Sequence, residues 1–99
     1  MKNGYKILWT DHALKELSDT YAYLESNFSH KVLKNLSIEL DNILALITNN
    51  PKLFPKSHLV NVRKVVVKRF NTLYYRINGD TIEILSFFSN RQNPEKLKI

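Results

Sequence analysis

No cysteine occurs among the 99 residues. That excludes disulfides, thiolate metal ligands and a cysteine nucleophile, and it fits a protein of the cytoplasm. Glycine is almost missing, with Gly4 and Gly79 alone. Two isolated glycines cannot make a phosphate-cradling loop. No apolar run approaches the roughly 18 residues that a membrane-spanning helix needs, so no membrane partner is expected. Met1-Lys2-Asn3-Gly4-Tyr5 lacks the apolar stretch and small-residue cleavage site of a signal peptide. There is no HExxH, no paired histidine and no cluster of carboxylates, so neither metal nor cofactor is expected. Arginine is absent from the first sixty residues: Arg63, Arg69, Arg76 and Arg91 are the full set.

What is present describes one soluble domain over residues 1–99. Hydrophobic residues make up 43% and charged residues 24% of the chain, an ordinary globular balance. The formal charge of +6 favours acidic partners: nucleic acid, a ribosome or an acidic protein segment. The plainer alternative is a small protein that is basic to no purpose.

Tyr5-Lys6-Ile7-Leu8-Trp9 alternates like a short strand. Thr10 or Asp11 then caps a helix over 11–27, with Leu14, Leu17, Tyr21, Leu24 and Phe28 as its apolar stripe. Ser29 can cap a second helix, striped by Leu33, Leu36, Leu40, Ile43, Leu44 and Ile47. Asn49-Asn50-Pro51 ends it, with Asn suited to a left-handed cap. Residues 51–61 read as an irregular loop, long for a compact domain and pinned by Phe54 and Leu59. Beyond it the chain reads as sheet. Asn78-Gly79 predicts a type I′ hairpin turn with Ile77 opposite Asp80, Tyr75 opposite Ile82 and Leu73 opposite Ile84. Leu73, Tyr75, Ile82 and Ile84 then share a buried face. Thr72, Tyr74, Arg76, Thr81, Glu83 and Leu85 share a wet one, where Arg76 and Glu83 are diagonal neighbours. The expectation is an α+β domain of order β-α-α-β-β-β, its antiparallel sheet packed against an N-terminal helical hairpin.

This order resembles the RelE/ParE family of bacterial toxins from type II toxin–antitoxin pairs, over nearly the whole chain. The resemblance is carried by Tyr5-Lys6-Ile7-Leu8-Trp9-Thr10, Ala13 and Leu17, and the helix end from Leu44 to Pro51. It continues through Val62-Arg63-Lys64-Val65-Val66-Val67, Leu73-Tyr74-Tyr75-Arg76-Ile77, Ile82-Glu83-Ile84-Leu85 and Ser89-Asn90-Arg91-Gln92-Asn93-Pro94. It implies a toxin neutralised by an antitoxin whose C-terminal segment wraps around it. RelE-like members cleave mRNA on the ribosome; ParE-like members poison DNA gyrase. Arg63 and Arg91 match the family's two recurrent arginine positions, and Lys52 and Lys56 lie where lysines of the RelE-like cluster occur. RelE-like members usually carry a Tyr or His near the C-terminus, and Gln92–Ile99 has neither. That favours the ParE-like branch.

The residues themselves leave the chemistry open. Metal-free RNA cleavage needs a base, an acid and cations for the phosphate. Arg63 and Arg91 are the catalytic candidates if the protein is a nuclease, each able to bind phosphate with two parallel hydrogen bonds. Arg63, Arg69, Tyr74, Arg76, Arg91, Lys52 and Lys56 are the candidates for binding target or antitoxin. For each arginine the competing account is a surface ion pair, and Arg76 has a ready partner in Glu83. His58, just before Arg63, is the one histidine placed to reach a basic face; His12 and His30 read as solvated. Trp9 and Tyr21 read as packing residues. Three functions follow: a gyrase-directed toxin, a metal-free mRNA endoribonuclease, or a non-toxic basic module for nucleic acid or protein.

Overall fold

A computed structural model describes residues 5–99. Most of the stretch read for a signal peptide, Met1–Gly4, lies outside them. The elements are β1 (Lys6–Trp9), α1 (Asp11–Asn27), α2 (His30–Asn49), β2 (Arg63–Val67), β3 (Asn71–Asn78), β4 (Thr81–Ser89) and a single 3₁₀ turn, Pro94–Lys96. No helix among the described residues is long and apolar enough to cross a membrane.

Thr10 joins strand to helix. Its backbone N–H donates to the Ile84 carbonyl at 3.1 Å, and its hydroxyl accepts from the Ala13 N–H at 3.1 Å, capping α1. Ser29 occupies the N-cap of α2, but its hydroxyl makes no capping bond. At the far end of α2, Asn50 is extended (φ −149°) rather than left-handed as its type suggests. Pro51 is the reason, because a following proline pushes its predecessor towards extended backbone.

The sheet is mixed, not antiparallel, with order β1-β4-β3-β2. β2, β3 and β4 form the expected antiparallel meander, but β1 pairs in parallel with β4, Ile7 opposite Ile82 and Trp9 opposite Ile84. Parallel neighbours require a long crossover. Here the connection runs through both helices, β2 and β3, and the helices cover one face of the sheet.

Both helical stripes point into that face. Ala13, Leu24, Leu36, Leu40, Ile43 and Ile47 meet Val67, Leu73, Tyr75, Ile82, Ile84 and Phe87 in one core. The α1 stripe is rotated from its predicted line. Ala13, Thr20 and Leu24 are buried, while Leu14 and Phe28 are nearly half exposed.

The β3–β4 hairpin turns one residue later than expected, which shifts the cross-strand pairing by two. Asn78 pairs with Thr81, so Gly79-Asp80 is the loop; Ile77 faces Ile82, and Arg76 faces Glu83 directly. Only Gly79 has positive φ (+63°) there, the II′ pattern rather than I′. A shift of two keeps every side chain on its face, so the predicted buried set survives. Beyond Tyr75 the register slips: Tyr75 pairs with Ile84 but Tyr74 with Ser86, leaving Leu85 as a bulge. Leu73 consequently faces Phe87, not Ile84.

The outer face is not wet along its length. Val62, Tyr74, Leu85 and Phe88 form a second small core, with Leu59 and Leu97 packed on it from the long loop and the C-terminal segment. Tyr74 is 8% exposed.

Candidate functional site

The 50–62 loop is built by its own backbone accounting. The Ser57 hydroxyl donates to the Val62 carbonyl at 2.8 Å and accepts from the Leu59 N–H at 3.0 Å. The Lys64 N–H donates to the Pro55 carbonyl at 3.1 Å, and Lys56 bridges to Arg63. Asn61 takes a left-handed φ of 62°, a conformation Asn tolerates. Two side chains from adjacent strands hold the front of the loop. Tyr75, opposite Arg63 across the sheet, donates its hydroxyl to the Pro51 carbonyl at 2.7 Å. Arg63 Nη1 donates to the Phe54 carbonyl at 2.7 Å. Burial pushes the Tyr75 hydroxyl pKa up, against the lowering effect of the Arg63 charge and the Phe54 backbone.

The loop and the start of β2 enclose a groove of about 560 Å³ lined by Lys52, Lys56, Val60, Asn61, Arg63, Arg76, Ile77 and Asn78. Four of the seven predicted site residues therefore converge, and all four are cations. Arg76 is ion-paired with Glu83. The others make no salt bridge among the described residues. The groove can take an anion. Among the described residues its lining includes no imidazole, carboxylate or phenol.

The remaining predicted residues lie elsewhere. Arg63 opens β2 opposite Tyr75, whereas Arg91 follows Ser89, which pairs with Asn71 beside Val67 at the other end of that strand. Four residue steps separate the two ends, about 13 Å along the strand. Arg63 and Arg91 thus lie towards opposite ends of the strand. The Arg91 guanidinium lies over the Tyr23 ring, 3.5 Å from its centroid. His58 does not line the basic groove either. It borders a cavity of about 210 Å³ on the outer face with Tyr74, Phe88, Asn90, Gln92, Pro94 and Leu97. Tyr74 also borders an apolar cavity of about 280 Å³ with Phe54, Pro55, Lys64, Val65, Val66 and Thr72, and burial raises its hydroxyl pKa. Among the described residues no three His, Asp or Glu side chains gather as a metal-ligating group.

Arg69 sits in a feature the sequence did not reveal. Val67-Lys68-Arg69-Phe70 is a tight turn closed by the Phe70 N–H on the Val67 carbonyl at 3.2 Å. Lys68 and Arg69 both have positive φ, 52° and 69°. That backbone costs a non-glycine residue roughly 1–2 kcal/mol. Asn90 clasps the turn. Its Nδ2 donates to the Arg69 carbonyl at 2.9 Å, its N–H to the Phe70 carbonyl at 2.8 Å, and its Oδ1 accepts from the Thr72 hydroxyl at 2.8 Å.

One test of the groove's electrostatics follows from Glu83. Hydrogen bonds from Arg76 and then Asn78 hold its carboxyl below the ordinary 4.5. A depressed carboxylate contributes stability above its unfolded pKa and loses it as pH falls through the folded one. Melting Glu83→Gln beside the native chain from about pH 6 down to about pH 3 should show a shallower acid decline in the variant. Parallel curves would remove the pair from the stability balance.

Solved structures share the fold. The chain is similar to the "Chromosomal ParDE TA system from P. aeruginosa" at TM-score 0.71 and 17% identity, covering 86% of this chain and 95% of that one. It is similar to "The structure of YoeB dimer from Staphylococcus aureus" at TM-score 0.60 and 19% identity, over 87% and 97% of the two chains. A heterotetrameric YoeB-YefM toxin-antitoxin complex from the same organism gives TM-score 0.59 at 19% identity, over 87% of this chain and 97% of that one. No curated protein sequence gives a significant match. A family described as "ParE toxin of type II toxin-antitoxin system, parDE" matches residues 7–94. The chain belongs to this ParE toxin family.

Proposed function

We propose that the chain is a growth-inhibiting toxin that acts by occupying DNA gyrase, not by cutting RNA. The observation that carries this is the make-up of the basic groove. It gathers Lys52, Lys56, Arg63 and Arg76 with no imidazole, carboxylate or phenol among the described lining residues, and Arg91 stands apart from it. Cations suffice to hold an anionic surface; metal-free cleavage also needs an acid and a base, and in this groove only the lysines could fill those roles. Inducing the chain and mapping mRNA 5′ ends tests the reading. Intact mRNA with a DNA-damage response is expected. Codon-phased cuts would establish the ribosome-dependent nuclease instead, and unimpaired growth a non-toxic binding module.

A cognate antitoxin with an acidic segment is the natural inhibitor. The basic groove and the apolar cavity over Val65 and Val66 adjoin across Arg63 and Lys64, so carboxylates and an apolar anchor find their places side by side. The β2 edge beyond Lys64 has no strand beside it, which suits an added strand. Lys52 and Lys56 are exposed and their ammonium groups make no salt bridge among the described residues, so they test contact cleanly. Lys52→Glu/Lys56→Glu should abolish toxicity and antitoxin binding while stability stays within about 0.5 kcal/mol of native. Full toxicity in that variant would move the contact surface elsewhere. Arg63→Ala should lower stability as well as toxicity, because it also frees the Phe54 carbonyl.

A further inference from the structure

We propose that the opposite end of the sheet binds single-stranded nucleic acid, with Lys68, Arg69 and Arg91 on its phosphates and Phe28 beneath a base. The proposal stands apart from the gyrase reading and from the basic groove. Lys68, Arg69 and Arg91 are all exposed, and none makes a salt bridge among the described residues. Asn90 brings them together: it binds the Arg69 and Phe70 backbone and immediately precedes Arg91.

Aromatic rings interleave with these charges. Phe28 stands edge-on to Tyr23 at 6.0 Å and to Phe70 at 5.7 Å, and it is 44% exposed. Arg91 is exposed, with its guanidinium held over the Tyr23 ring. Cations beside exposed π-faces are how proteins hold unpaired bases without reading sequence. An acidic peptide would use the charges but has no need of the rings. Two carboxylates lie near Arg91, Glu16 and Asp19. Both are engaged: Glu16 accepts from the Ser86 hydroxyl and the Phe87 N–H, and Asp19 pairs with Lys15.

The backbone adds a separate argument. Positive φ at both central residues is where Asn-Gly belongs in a hairpin. This chain has Lys-Arg there and spends three Asn90 hydrogen bonds on holding it. Strain kept in that way marks a position under a functional demand.

Fluorescence anisotropy with a labelled oligothymidylate of about 20 nucleotides tests the proposal in low salt. Native protein should bind, and binding should weaken steeply with salt. Lys68→Asn/Arg69→Gly should raise Tm by several degrees, weaken binding at least tenfold, and reduce the log–log salt slope by about 1.4, at 0.7 per phosphate contact. The charge-matched Lys34→Ala/Lys98→Ala change should leave most of the binding. Phe28→Ala should cost about tenfold and Phe28→Trp restore it. Arg91→Gln gives an independent reading should a turn variant fold poorly; it should lose several-fold. Native-like binding by the turn variant, or by Arg91→Gln, overturns the proposal. So does absence of binding by the native chain, and so does equal, Phe28-independent binding of a polyglutamate peptide, which would make the surface a carboxylate-docking face.

Discussion

Leu40→Ala should destabilise the protein by roughly 2–5 kcal/mol, the range for truncating a buried leucine. Leu40 is 4% exposed and lies in the helix-side core with Leu36, Ile43 and Ile47 on the same stripe. α2 can shift little to fill the space. Its end is fixed by Pro51, whose carbonyl is bound by Tyr75, so the lost contacts stay lost. Urea titration measures the change. A cost below about 0.5 kcal/mol, the usual surface range, would mean this face is not the packed one.

Asn71→Ala should come close to that loss, at about 2–4 kcal/mol, for a different reason. Asn71 is 1% exposed, and its Nδ2 donates to the Thr20 hydroxyl at 2.9 Å and to the Phe87 carbonyl at 3.1 Å. These bonds tie α1 to the junction of β3 and β4. Alanine removes the donor and takes this hydrogen bond from two buried acceptors. Thr20→Val should cost less, because the Phe87 carbonyl keeps its partner. If the two variants melt alike, the bond to Phe87 contributes nothing.

The elements whose signals are local were legible from the sequence. Thr10 and the Asn-Asn-Pro run bound the helices where expected, and the α2 stripe is the core stripe. The hairpin turn was off by one residue because Asn78 stays in the strand, and the resulting even shift of two in the pairing concealed the error in the burial pattern. Nothing at Leu85 announces a bulge, since a bulge depends on what both strands must pack against. The parallel pairing of β1 depends on a strand more than seventy residues away. The site divides along the same line. Lys52, Lys56 and Arg63 flank one loop, so their convergence followed from chain proximity. Arg91 was separated from Arg63 by the course of β4, which no spacing reports. The strained Lys68-Arg69 turn carries neither Gly nor Asn, the residues that betray left-handed backbone.

The sheet order leaves a solubility problem at β2. Lys64-Val65-Val66-Val67-Lys68 ends the sheet, and Val66 is 56% exposed. Three consecutive valines on an uncovered edge form a template on which further copies of the chain can stack. A lysine stands at each end of the triplet, where a gatekeeping charge makes like-with-like stacking repulsive. The same two charges attract a strand of opposite sign. The edge is thereby closed to its own kind and left open to an acidic stranger, so selectivity against self-assembly is written into five consecutive residues.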